Sequence, residues 1–230
     1  MKDLVLIHGW GFGQCVWTPA VERLARYFRV HLASLSGYGE PLAANEIPAG
    51  AILCGWSLGA QEVMRLALTQ PKQAARLVLV GATPRFVRTD EWPHGLSPDI
   101  LQKFSTAVAD DPSLALKRFA ALVNHGDDDA LAMTRKLNSL AGSRLPSPTV
   151  LFEGLRALRE TDLRSIVGHI TQPTLVIHGD NDELVPLAAA RWLADELAHG
   201  RLATMPGRAH APFLSATKHF ADLIAEFALG

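Results

Sequence analysis

The 230-residue chain predicts an α/β fold: a mostly parallel sheet with helices on both faces and a helical insertion late in the sheet. Three observations carry this. Four short runs rich in Val, Ile and Leu each end in or near glycine, as parallel strands buried on both faces do. Helical patterns alternate with them. Between about Thr83 and about Ser165 the strand signal lapses while amphipathic periodicity continues.

Taken in order, "LVLIHG" at 4–9 opens the sheet and "RVHLAS" at 29–34 is a weaker strand candidate. "AILCGW" at 51–56 follows, then a helical pattern from Leu58 to Gln70 closed by Pro71. After "RLVLVG" at 76–81 come amphipathic stretches near Ile100 to Ala109, Ser113 to Val123 and Ala130 to Ala141. An insertion placed there can cap the carboxyl ends of the strands, where open α/β sheets bind ligands. Residues 83–165 therefore read as a helical lid, and 1–82 with 166–230 as the core of one compact unit. The alternation resumes with "TLVIHG" at 174–179, a helix from Leu187 to His199 closed by Gly200, a weaker strand "RLATMP" at 201–206, and a last helix from Phe213 to Ala228.

Bulk properties narrow the function. With 48% hydrophobic and 20% charged residues the chain can bury a sizeable core, and a net charge of -1 exerts no global pull toward nucleic acid or anionic membrane. The opening "MKDLVLIHGW" has one lysine and a short apolar run before His8, too little for a signal peptide or a membrane span. Cys15 and Cys54 have no paired spacing, so neither a disulfide nor a metal framework is expected. A cytoplasmic monomer is the expectation.

One pentapeptide carries chemistry. "GWSLG" at 55–59 fits G-x-S-x-G, with an apolar strand before it and a helix after it, the context of a nucleophile elbow. Held on a tight turn, the Ser57 hydroxyl projects above the sheet, and glycine at 55 and 59 avoids collisions between strand and helix.

A serine hydroxyl is a poor nucleophile at neutral pH, so a base must take its proton and a third group must orient that base. Of nine histidines, His210 is best placed: "PGRAHAPF" at 206–213 is a loop between a strand and the C-terminal helix. His219 lies inside a helical pattern, His199 fits a helix C-terminus and His178 ends a strand. In "HGDNDELVP" the acid is Asp182, far enough into the loop to turn back toward His210, while Asp180 is read as stabilising the turn through its own backbone. Attack on an ester also needs donors for the oxyanion. "HGWG" at 8–11 can aim the Trp10 N–H at the same point as the Leu58 N–H. The Trp10 and Trp56 indoles read equally well as core aromatics and as walls of an acyl pocket.

Together "HGWG", "GWSLG", "GDNDELVP" and "AHAPF" resemble the α/β-hydrolase superfamily over essentially the whole chain, so the α/β-hydrolase fold is expected. Within it they resemble the carboxylesterases of biotin synthesis, which remove the methyl group from pimeloyl-acyl carrier protein methyl ester. The stretches "KRFAALV" at 117–123 and "LPSPTVLFEGLRALRETDLR" at 145–164 are similar to that family too. The resemblance implies a serine carboxylesterase with Ser57, Asp182 and His210 as triad. It implies substrate contacts at Trp10, Leu58, Phe119, Ala120, Ala121, Leu122, Val123 and His210. It also implies an acyl carrier protein as partner, and neither metal nor organic cofactor. The turn "SLSGYGE" at 34–40 departs from the pattern, with Ser34 where many relatives carry aspartate and Glu40 where they often carry serine.

Two charged stretches stand out in the insertion. "HGDDDA" at 125–130 reads as a solvated loop. From 135 to 159, Arg135, Lys136, Arg144, Arg156 and Arg159 face a single acid, Glu153. That is either a solvated helical face or, with Arg135, Arg144, Arg156 and Arg159 as contacts, a dock for an acidic carrier protein. The same triad also suits a general short-chain carboxylesterase or a hydrolase of a carbon–carbon bond beside a ketone, and the fold alone suits a ligand receptor. A dehalogenase would need aspartate at position 57.

Overall fold

A computed structural model of the chain describes residues 1–38, 47–142 and 145–230. Six strands form one sheet: β1 (Lys2–Ile7), β2 (Phe28–Ala33), β3 (Ala51–Trp56), β4 (Ala74–Val80), β5 (Thr174–Gly179) and β6 (Gly200–Met205). Their order is β2-β1-β3-β4-β5-β6, and every pairing is parallel. The two strands with weak sequence signals, β2 and β6, are the edges. They are only partly buried, whereas β3 and β5 are buried at every position, so fewer apolar residues suffice at the edges.

Strand alternation divides the core in two. Leu4, Leu6, Ile52, Val78 and Ile177 point to the face covered by α1 (Thr18–Leu24) and α9 (Thr217–Leu229). Val5, Ile7, Leu53, Leu79 and Val176 point to the face covered by α2 (Leu58–Thr69) and α7 (Leu187–Glu196). The short α1 spans two turns, too few for periodicity to reveal. Helix α7 stops at Glu196, so His199 falls in the turn before β6 instead of at a helix end.

The C-terminal helix is also broken. A short α8 (Pro212–Ser215) precedes α9, and Ala216 between them leaves the helical region at φ -123°, ψ 48°. Side chains take up the carbonyls there: Lys136 Nζ donates to Leu214 O at 3.0 Å and Thr217 Oγ1 to Phe213 O at 2.9 Å.

Among the described residues four α-helices lie between β4 and β5: α3 (Pro98–Asp110), α4 (Pro112–Val123), α5 (Ala130–Ala141) and α6 (Pro148–Glu160). Periodicity identifies the first three. The fourth shares a start signal with α3 and α4, a Ser or Asp followed by Pro at the first helical position. The Asp111 and Ser147 side chains accept from Leu114 N and Val150 N at 3.0 and 3.4 Å. The ends of the insertion meet: Asp162 pairs with both Arg85 and Arg164, and Leu163 N donates to Pro84 O at 3.0 Å.

The chain runs outward from β1 to β2, then returns to place β3 on the other side of β1. Ligands of open α/β sheets occupy the crevice at such a reversal, at the carboxyl ends of the strands. His8–Gly11 after β1 and Ser57 after β3 flank it. Among the described residues no helix is long and apolar enough to cross a membrane.

Candidate active site

Ser57 is the one non-glycine among the described residues at positive φ, 56° with ψ -117°. Such a conformation costs about 1–3 kcal/mol and persists only where the surroundings impose it. They do so here: Ser57 N donates to Val80 O at 2.9 Å, and Ser57 O accepts from Ala60 N and Gln61 N at the start of α2. The flanking glycines fit the tight junction. A β-carbon at Gly55 would stand 2.2 Å from Gly59 O, and one at Gly59 would stand 2.4 Å from His8 O. Helix α2, the elbow and the His8–Gly11 turn are thus packed backbone to backbone.

His210 and Asp182 form a buried pair, His210 Nδ1 lying 2.7 Å from Asp182 Oδ2. The carboxylate's other oxygen accepts from Leu184 N and Val185 N at 2.9 and 2.8 Å. Burial by itself would raise the Asp182 carboxyl; the charge and hydrogen bond of His210, with help from His178 and the Val185 N–H, outweigh it and hold the group below its usual value. The His210 backbone is tied at both polar groups, its N–H donating to Val123 O at 3.1 Å and its carbonyl accepting from Trp56 Nε1 at 2.8 Å. With Nδ1–H directed at Asp182, the lone pair resides on Nε2, which is buried and has no hydrogen-bond partner among the described residues. The Ser57 hydroxyl is therefore not hydrogen-bonded to it in this structure. Such contacts commonly tighten only once substrate is bound.

The expected oxyanion donors are unengaged among the described residues. Neither Trp10 N nor Leu58 N has a hydrogen-bond acceptor among the described residues. The turn that carries Trp10 is braced from three sides. His8 Nδ1–H donates to Gly9 O at 2.8 Å while its Nε2 accepts from Leu35 N at 3.2 Å, and Gly11 N donates to Tyr38 Oη at 2.8 Å. Trp10 Nε1 donates to Leu151 O on α6 at 2.9 Å. This pattern requires neutral His8, and burial pushes its pKa down to about 4. Ser34 accepts from Gln14 Nε2 at 3.0 Å in the same brace; Glu40 lies outside the described residues.

Of the five consecutive substrate contacts expected on α4, the helical repeat allows only some to face the site. Phe119 is buried with its ring centroid 4.8 Å from that of Trp10 and 5.8 Å from that of Phe12, and Ala120 and Val123 are buried as well. Leu122 is half-buried. Ala121 is exposed. A cavity of about 460 Å³ lies between α2 and α6. Leu58 is the only one of the expected site residues that lines it. Among the described residues no group of three or more His, Cys, Asp or Glu is placed to hold a metal ion.

Several expectations change. Asp180 does not bind its own turn; its Oδ1 accepts from Gly207 N at 2.7 Å and links the acid loop to the histidine loop. The Trp56 indole is buried and holds the His210 carbonyl. His178, expected only to end a strand, lies under Asp182, with Nε2 3.3 Å from Oδ2. "HGDDDA" is not simply a solvated loop, because Asp127 is buried and Arg208 pairs with it. The roles of Asp180, Trp56 and Asp127 had no local sequence signature, since each depends on a partner far along the chain, whereas His178 meets Asp182 only four residues on. Arg135, Arg156 and Arg159 are exposed, with Arg159 donating to Gln102 Oε1 at 2.8 Å, and Arg144 lies outside the described residues.

A family model described as alpha/beta hydrolase fold matches residues 47–217. The chain is 38% identical to a pimeloyl-(acyl-carrier protein) methyl ester esterase of Nitrosomonas europaea over 95% of this chain and 92% of the relative. It is 39% identical to the enzyme of that name from Aromatoleum aromaticum, over 99% and 98% of the two chains. Among solved structures, a bromoperoxidase from Bacillus anthracis and the esterase EaEST from Exiguobacterium antarcticum each superpose with a TM-score of 0.87 over 100% of this chain and 92% of theirs, at 22% identity, a likeness of fold alone. The chain belongs to the α/β-hydrolase family and, within it, to the family of the pimeloyl-(acyl-carrier protein) methyl ester esterases.

Proposed function

We propose that this chain is a serine carboxylesterase that hydrolyses the methyl ester of pimeloyl-acyl carrier protein in biotin synthesis, with Ser57 as nucleophile, His210 as base and Asp182 as its orienting acid. The observation that carries the chemistry is the buried His210–Asp182 pair, Nδ1 to Oδ2 at 2.7 Å, beside a serine held on a strained elbow. The choice of ester rests on the names of the relatives.

His210 Nε2 takes the Ser57 proton as Oγ bonds to the ester carbonyl carbon. The carbonyl electron pair moves to oxygen, and the Trp10 and Leu58 N–H groups stabilise that charge. Collapse breaks the bond to the methoxy oxygen, which takes the proton from the imidazolium and leaves as methanol. Water, deprotonated by His210, then attacks the acyl-serine and releases the free carboxylate. Asp182 stays ionised throughout, in keeping with its lowered pKa.

Residues 83–165 serve as the lid over a core of 1–82 and 166–230. In support, Leu151 and Phe119 of the insertion both contact Trp10. The carrier docks on the insertion through Arg135, Arg156 and Arg159, which are exposed, and the reaction is assigned to the cytoplasm. Growth of a biotin auxotroph lacking its methyl esterase is the test. The parent chain should restore growth and, purified, release methanol from the carrier-linked ester. Ser57→Ala should fail in both assays, with turnover lower by about a million-fold. Turnover by Ser57→Ala, or no methanol from the parent, overturns the reading.

A further inference from the structure

The turn between α4 and α5 holds a carboxylate that the reaction above does not use. The Asp127 side chain is 2% exposed. Its Oδ2 accepts from Ala209 N at 3.2 Å and Ser215 Oγ at 2.7 Å; its Oδ1 accepts from Arg208 Nη1 at 3.3 Å and Asp129 N at 2.9 Å. Three of these partners flank His210 in the chain, two before it and one after. The same turn adds further ties. Val123 O accepts from His210 N at 3.1 Å, Gly207 O accepts from Asp128 N at 3.0 Å, and Gly126 O accepts from Asn181 Nδ2, beside Asp182, at 2.8 Å.

We infer that Asp127 is a positioning residue for His210, and that the α4–α5 turn clamps the histidine loop to the insertion. Loop-borne catalytic groups need such support, because a displacement of about 1 Å can lower the rate about a hundred-fold. The loop is also tied at Asp180 to Gly207, at Asn181 N to Arg208 O, at Trp56 to the His210 carbonyl and at Lys136 to the Leu214 carbonyl, and none of these bonds by itself joins the residues before His210 to those after it. Asp127 joins both sides of the loop through one buried group. Arg208 reinforces it and is shared with Asp129 at 3.3 Å and Asp128 at 3.8 Å. The carboxyl end of α4 is therefore coupled to the histidine loop as well as to the rest of the insertion.

This inference rests on the reading of Ser57, His210 and Asp182 as the machinery, and a small chromogenic acyl ester tests the two apart. Asp127→Ala should lower kcat about ten- to a hundred-fold with KM within about twofold of the parent. Asp127→Asn keeps one acceptor oxygen for the Ala209 N–H and should recover much of the loss, while Asp110→Asn, at an exposed position outside the clamp, should leave both constants unchanged. Native-state hydrogen exchange supplies a readout that global stability does not move: the His210 amide should exchange faster in Asp127→Ala while the β3 amides keep the parent rate. A parent-like kcat, or an unchanged His210 amide, overturns the clamp. If Asp127→Ala does not fold, Ser215→Ala releases one of its bonds and is read by the same two criteria. Ser57→Ala should be inactive in every case; if it is active, the site reading fails and not the clamp alone.

Discussion

One oxygen of Asp182 faces two histidines: Oδ2 lies 2.7 Å from His210 Nδ1 and 3.3 Å from His178 Nε2. His178 Nε2 is also 2.8 Å from Val185 O, so its N–H points into the gap between that carbonyl and the carboxylate. Burial pushes the His178 pKa down against the pull of Asp182, which keeps the ring neutral and a donor. The carboxylate thus sits in a shell of N–H donors, and in the proposed reaction its charge would stabilise an imidazolium on His210.

Replacing that charge should be costly in a specific way. Asp182→Asn can present an N–H to His210, favouring the tautomer whose Nε2 is protonated and cannot act as base, so kcat should fall on the order of ten thousand-fold. Asp180→Asn retains an oxygen for the Gly207 N–H and should cost far less. Steady-state rates of the two purified variants on one ester decide the matter. The reverse ranking would make Asp180 the acid.

Stability should fall on acidification in two stages. Histidines that gain a partner usually have raised values, but His8 goes the other way, from 6.5 to about 4, so the unfolded chain takes up its proton first. Its contribution is complete above pH 6.5 and is lost progressively down to about pH 4, on the order of 3 kcal/mol in all. His178 shifts in the same direction. Asp182, held below 3.8, adds a loss that begins only below that value and continues through its folded pKa. Urea midpoints measured from about pH 8 to about pH 4 should show a shallower slope in His8→Asn than in the parent. Parallel slopes would mean that His8 is not the titrating group.

What the sequence reveals follows from how local each constraint is. The elbow is legible because strand, Gly55, Ser57, Gly59 and helix are contiguous and each is dictated by its neighbours. Asp182 and His210 are legible as loop residues after β5 and β6, since the fold brings the carboxyl ends of parallel strands together. The supporting contacts are not. Trp56 Nε1 finds a carbonyl 154 positions away, and Asp127 finds Ala209 N 82 positions away. A run of three aspartates looks solvated until the fold shows that the first one is buried against Arg208. The break at Ala216 escapes periodicity for the same reason, because Lys136 from another helix satisfies the Leu214 carbonyl.

The proposed docking residues give the last prediction. Arg135 and Arg156 are exposed, and neither forms an ion pair with an acid among the described residues, so their charge is available to an incoming partner. Exposed pairs contribute little to static affinity, but unpaired surface charge of one sign raises the encounter rate with an acidic protein. If this face receives the carrier, near-molar salt should depress kcat/KM for the carrier-linked ester, because the screening length shrinks to about 3 Å. A small neutral ester meets no such field and should respond far less. Charge reversal in Arg135→Glu/Arg156→Glu should reproduce the salt effect at low ionic strength, again only for the carrier-linked substrate, and should leave kcat for the small ester intact. An equal response from both substrates would point to a change at Ser57 itself, and no response from either would place the carrier on another surface.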